Sequence, residues 1–349
     1  MRPKLLAILF KYLGDVVVAT PALRALRQAY PEWELHVVVP EEAAPLLERI
    51  AWLDRIWRFP RIRGRLNLGV SWPIIRQLRR ERFAVSVDFV GNDRGALLSL
   101  LVGAPRRIGL EAPLGFFLRS RCYTDRVEEF DPTRHESLRT WAVTAPLGVP
   151  LPDNMALEIA ADPGLAQAAA TTLGGTQVLC YVTSSQPKRE WPIDYWLQFA
   201  RHARALTPAL AFTGGSSARE RQVLDAIAEQ RAGISILPPP EPLELFLAVL
   251  AQARLLVTGD TGPMHFAAAL GVPTLGLFGP TSARRWAPMG RQHRSLQGGL
   301  CSCSGHSAVC TAAHSCLAQI TPDRVYEEYE RMTREASGAA PVAAAQRLR

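Results

Sequence analysis

No apolar run in this sequence reaches the roughly 18 residues that a helix needs to cross a bilayer, so a membrane-spanning chain is not expected. The basic, apolar start from Met1 to Phe10 is short and leads into Gly14-Asp15 without a small-residue cleavage pattern. It reads as a first core strand and not as a signal peptide, and a cytoplasmic location is the expectation that follows. No short internal repeat is visible. Cysteine is scarce, with six in 349 residues. Cys122 and Cys180 stand alone in apolar surroundings and read as core. The other four form the cluster Cys301-x-Cys303-x₆-Cys310-x₅-Cys316, with His306 and His314 nearby. That spacing lacks the paired Cys-x₂-Cys knuckles of many zinc modules. A structural Zn²⁺, free thiols in a tight loop, and disulfides, the last disfavoured in a reducing compartment, all stay open for it.

Charge of one sign is short only in part of the chain. Residues 1–150 carry 23 Lys and Arg against 16 Asp and Glu, and the remainder 17 against 16, so nearly all of the net +8 lies in the first half. Arg55, Arg58, Arg61, Arg63, Arg65, Arg76, Arg79, Arg80 and Arg82 are its densest block. Such a face suits nucleic acid, anionic lipid or a phosphorylated substrate, or is simply solvated surface.

What is present is alternation. Nearly half the residues are apolar, in short runs that read as strands at 4–10, 34–39, 52–59, 84–89 and 107–109, separated by helical patterns at 16–30, 42–50, 74–81, 96–102 and 135–147. A proline-rich change of composition at 146–164 marks a boundary. A second array follows, with strands at 177–182, 209–213, 235–237, 254–258 and 274–278 and helices at 193–206, 218–230, 243–251 and 263–270. Strands alternating with helices predict parallel sheets covered on both faces. The expected organisation is an N-terminal Rossmann-like domain over 1–160, a second over 161–320, a C-terminal helix over 321–335 and a flexible Ala-rich tail over 336–349.

The stretch Val257-Thr-Gly-Asp-Thr-Gly-Pro-Met-His265 joins a strand to a helix through a Gly-rich turn. Pro263 suits the first helical turn, where its missing N–H is no loss. The free N–H groups of that helix start make an anion site, and Asp260, Thr261 and His265 are the polar groups placed there. An ordinary capped βα turn explains the same residues. Other candidates fall on turns after strands, where such sheets bind ligands: Lys11, Gly14 and Asp15 after the first strand, and Ser184, Ser185 and Lys188 after the first strand of the second half.

Four ordered blocks then resemble glycosyltransferase family 9, the ADP-heptose lipopolysaccharide heptosyltransferases and their relatives. They are Ile8 to Leu26 with its Gly14-Asp15 turn and Thr20-Pro-Ala-Leu-Arg24 helix, Ser184 to Pro192 with Lys188-Arg-Glu-Trp-Pro192, Asp260-Thr-Gly262 through His265 with Phe278-Gly-Pro-Thr281, and the Cys cluster. The resemblance implies a GT-B fold, two Rossmann-like domains facing a central cleft. It also implies an inverting transfer from an activated heptose, with no cofactor required for catalysis. Asp15 is then the general base that accepts the acceptor's hydroxyl proton as the new bond forms; a carboxylate capping a helix is the structural alternative. Thr261, Gly262 and Lys188 would meet the charge that develops on a nucleoside diphosphate leaving group. Asp260 would bind sugar hydroxyls, Ser184 and Ser185 phosphate, and Glu220 the nucleoside, while His265 stands between ligand contact and turn support.

On the acceptor side the resemblance points to Lys11, Gly14, Arg61, Arg63, Arg65, Arg119 and Arg121, binding an anionic, lipid-linked oligosaccharide whose carboxylates and phosphates match the planar guanidinium fork. Trp72, Ile74, Ile75 and Leu78 beside Arg76, Arg79 and Arg80 suggest contact with the inner face of the inner membrane; a core-packed helix with a solvated side is the alternative. No nucleic-acid partner is expected. The rival readings are a relative using another nucleotide sugar, a sugar-nucleotide epimerase, whose further acids are not evident, and a zinc- and nucleic-acid-binding protein, which leaves Asp15 and residues 257–273 without a role.

Overall fold

The strands that sit mid-sheet are those whose residues are apolar on both faces, which suits a parallel sheet sandwiched between helices. In the computed structural model, which describes residues 2–60, 68–111, 118–128, 131, 133–207, 209–230, 233–299, 301 and 316–338, the chain forms two compact units, Met1–Ala161 and Asp162–Arg349. The first contains β1 (Lys4–Ile8), α1 (Leu13–Val18), α2 (Thr20–Ala29), β2 (Glu34–Pro40), β3 (Arg55–Phe59), α3 (Leu68–Arg80), β4 (Val85–Asp88), α4 (Asp93–Val102), β5 (Arg106–Leu110), β6 (Asp125–Val127) and α5 (Glu136–Ala142). Its six strands are ordered β3-β2-β1-β4-β5-β6, all parallel, with Ile8 opposite Val38 on one side and Asp88 on the other.

The second unit contains α6 (Ala166–Leu173), β7 (Val178–Tyr181), α7 (Ile193–Leu206), β8 (Leu210–Thr213), α8 (Ala218–Glu229), β9 (Ser235–Ile236), α9 (Leu243–Gln252), β10 (Leu255–Gly259), α10 (Gly262–Ala269), β11 (Thr274–Phe278), α11 (Ala283–Trp286), β12 (Arg294–Gln297) and α12 (Pro322–Gly338). Its parallel sheet runs β12-β11-β10-β7-β8-β9. Both units therefore share the doubly wound order in which the chain starts mid-sheet, builds one side, then crosses to the other. The crevice at that reversal is where such sheets bind ligands. It lies between the C-terminal ends of β1 and β4 in the first unit, and of β7 and β10 in the second.

Several elements differ from the sequence-based expectation for definite reasons. The helix expected over 16–30 is two. Pro21 has no N–H to donate to the Val17 carbonyl, and the Thr20 hydroxyl bonds that carbonyl instead at 2.7 Å, so the chain breaks at Ala19 between α1 and α2. The first piece starts early, at Leu13, with Tyr12 as its N-cap. Asp15 is therefore within the first helical turn and is not the cap. The helix expected over 74–81 begins earlier, at Leu68, as α3, which carries Pro73 internally. On α3, Ile75 and Leu78 pack into the core with Trp57, Phe59 and Phe83. They are core residues, unavailable to a membrane, whereas Trp72 is exposed. The edge strands β6 and β12 and the helix α6 were not foreseen; β12 alternates partly and fully exposed residues and carries no apolar run.

The second core is built on aromatics. Trp191 donates its indole N–H to the Ile320 carbonyl at 2.8 Å and stands edge-on to Trp196, with ring centroids 4.9 Å apart. Phe199 of α7 meets Tyr329 of α12 edge-on at 5.4 Å, and Val325, Tyr329 and Met332 belong to the same cluster. The last helix is thus part of the second unit's core and runs three residues past the expected end, to Gly338. Among the described residues, no helix is long and apolar enough to cross a membrane.

Candidate active site

At the reversal point of the first unit, the chain leaves β1 as Leu9 to Tyr12 and turns into α1, while the segment after β4 carries Phe89 and Val90. A small pocket opens there, lined by Leu9, Lys11, Asp15, Phe89, Val90, Glu136, Arg139 and Thr140. The Asp15 side chain is 12% exposed, and the Lys11 ammonium lies 2.7 Å from its Oδ1. That oxygen is buried, and the contact is one of charge without the alignment of a hydrogen bond. The same ammonium donates a hydrogen bond to Glu136 Oε1 at 3.2 Å. Glu136, on the first turn of α5, is buried and also accepts from Arg139 Nη1 at 3.0 Å. Two cations and two carboxylates thus share one pocket wall.

The opposite wall rests on Asp88. Its Oδ1 accepts the backbone N–H groups of Val90 at 3.0 Å and Gly91 at 3.2 Å, and Tyr123 donates its hydroxyl to Oδ2 at 2.7 Å. Burial pushes this carboxyl above its usual range against the pull of those hydrogen bonds. The fit requires Gly95, because a Cβ there would stand 2.3 Å from Asp88 Oδ2. Asp88 therefore fixes the turn that presents Phe89 and Val90.

At the reversal point of the second unit, two turns meet. One is Thr183 to Trp191, with a 3₁₀ turn at Pro187–Arg189; the other is Asp260-Thr261 ahead of α10. They touch closely, since a Cβ on Gly259 would come within 2.7 Å of the Arg189 carbonyl oxygen. Arg189 Nη1 pairs with Asp260 Oδ2 at 3.2 Å. Lys188 is held in the same turn at only 7% exposure. Ser184 is buried and Ser185 exposed. The Ser184 N–H donates to Glu190 Oε1 at 2.7 Å, and Arg219 clamps both oxygens of Glu190, at 2.7 and 3.0 Å.

Thr261 is the N-cap of α10 with extended backbone, and its hydroxyl makes no capping bond. Gly262 opens the helix, and His265 is buried within it, edge-on to Trp286 at 6.3 Å between centroids. Glu220 lies in the first turn of α8, and its N–H donates to the Oγ of the N-cap Ser217. Its carboxylate accepts from Ser217 Oγ at 2.5 Å and Thr183 Oγ1 at 3.1 Å, and Thr183 Oγ1 in turn accepts the Gly215 N–H at 2.8 Å.

The structure therefore brings Lys11, Gly14 and Asp15 together in one place, and Ser184, Ser185, Lys188, Asp260, Thr261, Gly262 and His265 in another. Arg119 is largely buried and pairs with Asp93 at 3.2 Å; Arg121 is exposed. Arg61, Arg63 and Arg65 lie outside the described residues, as do Cys303 and Cys310 with the zinc expectation attached to them. Cys301 is partly exposed and Cys316 buried. Among the described residues no group of three or more His, Cys, Asp or Glu is placed to hold a metal ion. Sequence reasoning missed Glu136 and Arg139, which nothing near Asp15 announces, and Arg189, Glu190 and Arg219, of which the first two sit beside Lys188.

Comparison with known proteins adds four findings. A family model described as glycosyltransferase family 9 (heptosyltransferase) matches residues 71–309. Lipopolysaccharide heptosyltransferase 2 of Escherichia coli K12 is 24% identical over 342 residues, covering 93% of this chain and 97% of its own. Lipopolysaccharide heptosyltransferase 1 of Pseudomonas aeruginosa PAO1 is 30% identical over 300 residues, 81% of each chain. Among solved structures, E. coli ADP-heptose lps heptosyltransferase II superposes with a TM-score of 0.75 at 21% identity, covering 96% of this chain and 99% of the other.

Proposed function

This chain belongs to glycosyltransferase family 9, the heptosyltransferases, and is an enzyme of glycosyl transfer with the GT-B fold; from that premise we propose that it moves a heptose from ADP-heptose to the inner core of lipopolysaccharide in one inverting displacement. The observation that supports this most is Asp15, a carboxylate with an exposed side in the reversal-point pocket of the first unit. An acceptor hydroxyl attacks the anomeric carbon as its proton passes to Asp15. The bond from that carbon to the β-phosphate oxygen breaks, and its electron pair leaves with ADP. A single displacement inverts the anomeric centre.

The charge that grows on the diphosphate would be met by Lys188, by the Gly262 N–H at the start of α10 and by the Thr261 hydroxyl, which the helix cap leaves unused. These groups supply what a metal ion supplies elsewhere, so no metal is required for catalysis. Asp260, steadied by Arg189, is assigned to sugar hydroxyls. Ser184 and Ser185 are assigned to phosphate, and Glu220 acts by holding the Gly215 turn at the nucleoside side. Lys11 and the arginines of the first unit receive the anionic acceptor.

A thermal-shift series with ADP-heptose, ADP-glucose, GDP-mannose and UDP-glucose tests the donor. At a ligand concentration of about 100 Kd, the true donor should stabilise the protein by about 2.7 kcal/mol. A larger shift with a UDP- or GDP-sugar would assign the enzyme to another donor.

The lipid-linked acceptor implies work at the cytoplasmic face of the inner membrane. The exposed side of α3 fits this, with Trp72 and Pro73 at one end and Arg76, Arg79 and Arg80 at the other. Sedimentation with phosphatidylglycerol vesicles should bring the protein down. With each arginine near an anionic surface worth about 1 kcal/mol, Trp72→Ser combined with Arg76→Ser and Arg80→Ser should weaken that binding at least tenfold. Equal binding by the triple variant would move the membrane contact elsewhere.

A further inference from the structure

We propose that Glu136 is a positioning residue for the transfer reaction, taking the hydrogen bond of the Lys11 ammonium so that this cation stands beside Asp15 without occupying the lone pairs the base must use. The inference rests on the reading of Asp15 as the base. It starts from an asymmetry: Lys11 Nζ is nearer Asp15 Oδ1, at 2.7 Å, yet its aligned hydrogen bond goes to Glu136 Oε1, at 3.2 Å. Nothing in the chain's local sequence requires this, since the two residues are 125 positions apart.

Glu136 is 1% exposed. A carboxylate that far from water survives only with paired charge and hydrogen bonds. Arg139, one turn along the same helix, gives one partner at 3.0 Å, and Lys11 gives the second. A lysine hydrogen-bonded wholly to the base would favour its ionised form and weaken it as a proton acceptor. With Glu136 on its far side, Lys11 is drawn off line and its field at Asp15 is partly offset. The cation still orients Asp15 and still faces the anionic acceptor.

The other charged or titratable groups on the elements around this cluster are Lys4 at the start of β1, Tyr12 at the start of α1, Glu41 and Glu42 in the 3₁₀ turn at Glu41–Leu46, Arg24 and Arg27 on α2, Asp88 at the end of β4, and His135 at the start of α5. Arg24 pairs with Glu158 and Arg27 with Asp54. Asp88 is enclosed by Tyr123 and two backbone N–H groups. His135 accepts the Ser137 N–H on Nδ1.

The test is transfer by the full chain, with kcat and KM separated. Glu136→Gln removes the charge and keeps the shape. Its kcat should fall about tenfold, a modest cost of misplacing a reacting group, with both KM values nearly unchanged. Lys11→Met should lower kcat at least as much. The double variant should match Lys11→Met alone, since a residue acting through Lys11 has nothing left to act on. Losses that multiply, or a loss confined to KM, would each overturn the proposal. If Glu136→Gln does not fold, Lys11→Met carries the test, at a side chain 29% exposed; an unchanged kcat there overturns it too. Asp15→Asn run alongside separates the two ideas. Retained transfer in Asp15→Asn removes the base and this inference together, whereas lost transfer with a wild-type Glu136→Gln removes this inference alone.

Discussion

Replacing Asp15 by Asn is expected to lower kcat by about 10²- to 10⁴-fold, the range that a positioned general base contributes, while binding of ADP-heptose stays as in the wild type. The amide is isosteric and can keep its place on the first turn of α1, but it cannot accept the proton. Asp15 and the groups assigned to the donor lie in different units. Single-turnover transfer measured beside calorimetric donor binding checks this. If binding is lost together with transfer, Asp15 holds substrate or structure and the base is another group.

Lys188→Met should show the contrasting pattern, with kcat/KM reduced about 10²- to 10³-fold, as when one preorganised charge-stabilising donor is removed, and ADP binding weakened as well. Lys188 is 7% exposed, a depth at which lysines are found paired. Its backbone is pinned by the Pro187–Arg189 turn against Gly259. Methionine keeps the stem and removes only the charge, so a folded variant is expected. Lys188→Arg should recover part of the rate, because charge is kept while its placement changes. Wild-type ADP affinity in Lys188→Met would free this lysine from the diphosphate and leave the start of α10 to hold it alone.

The parts of the fold that were legible are those where burial writes itself into local sequence. β1, β7, β10 and β11 are continuous apolar runs because both faces of a central parallel strand are covered. α7 begins and ends where expected, at Ile193 and Leu206, between Pro192 and the extended Thr207. Two of the four edge strands carry no such mark. β6 is three residues, Asp125–Val127, and β12 is half exposed, so neither leaves an apolar run to read. The start of α1 was also hidden, because Tyr12 caps the helix with backbone geometry and no side-chain signal.

By itself the sequence determined two βα arrays, the Gly-rich turn ahead of α10, and the residue types that suit a sugar-nucleotide site, because each is a matter of neighbours along the chain. Only the tertiary structure decided which charges face one another. Glu136 reaches Lys11 and Asp15 because α5 packs against α1 across the folded first unit. Asp260 is given to Arg189 because Gly259 lets two turns close on each other. Propensity and periodicity act over one or two turns of chain, whereas an ion pair needs only a few ångströms of space, and that distance exists only after the sheet has ordered its strands.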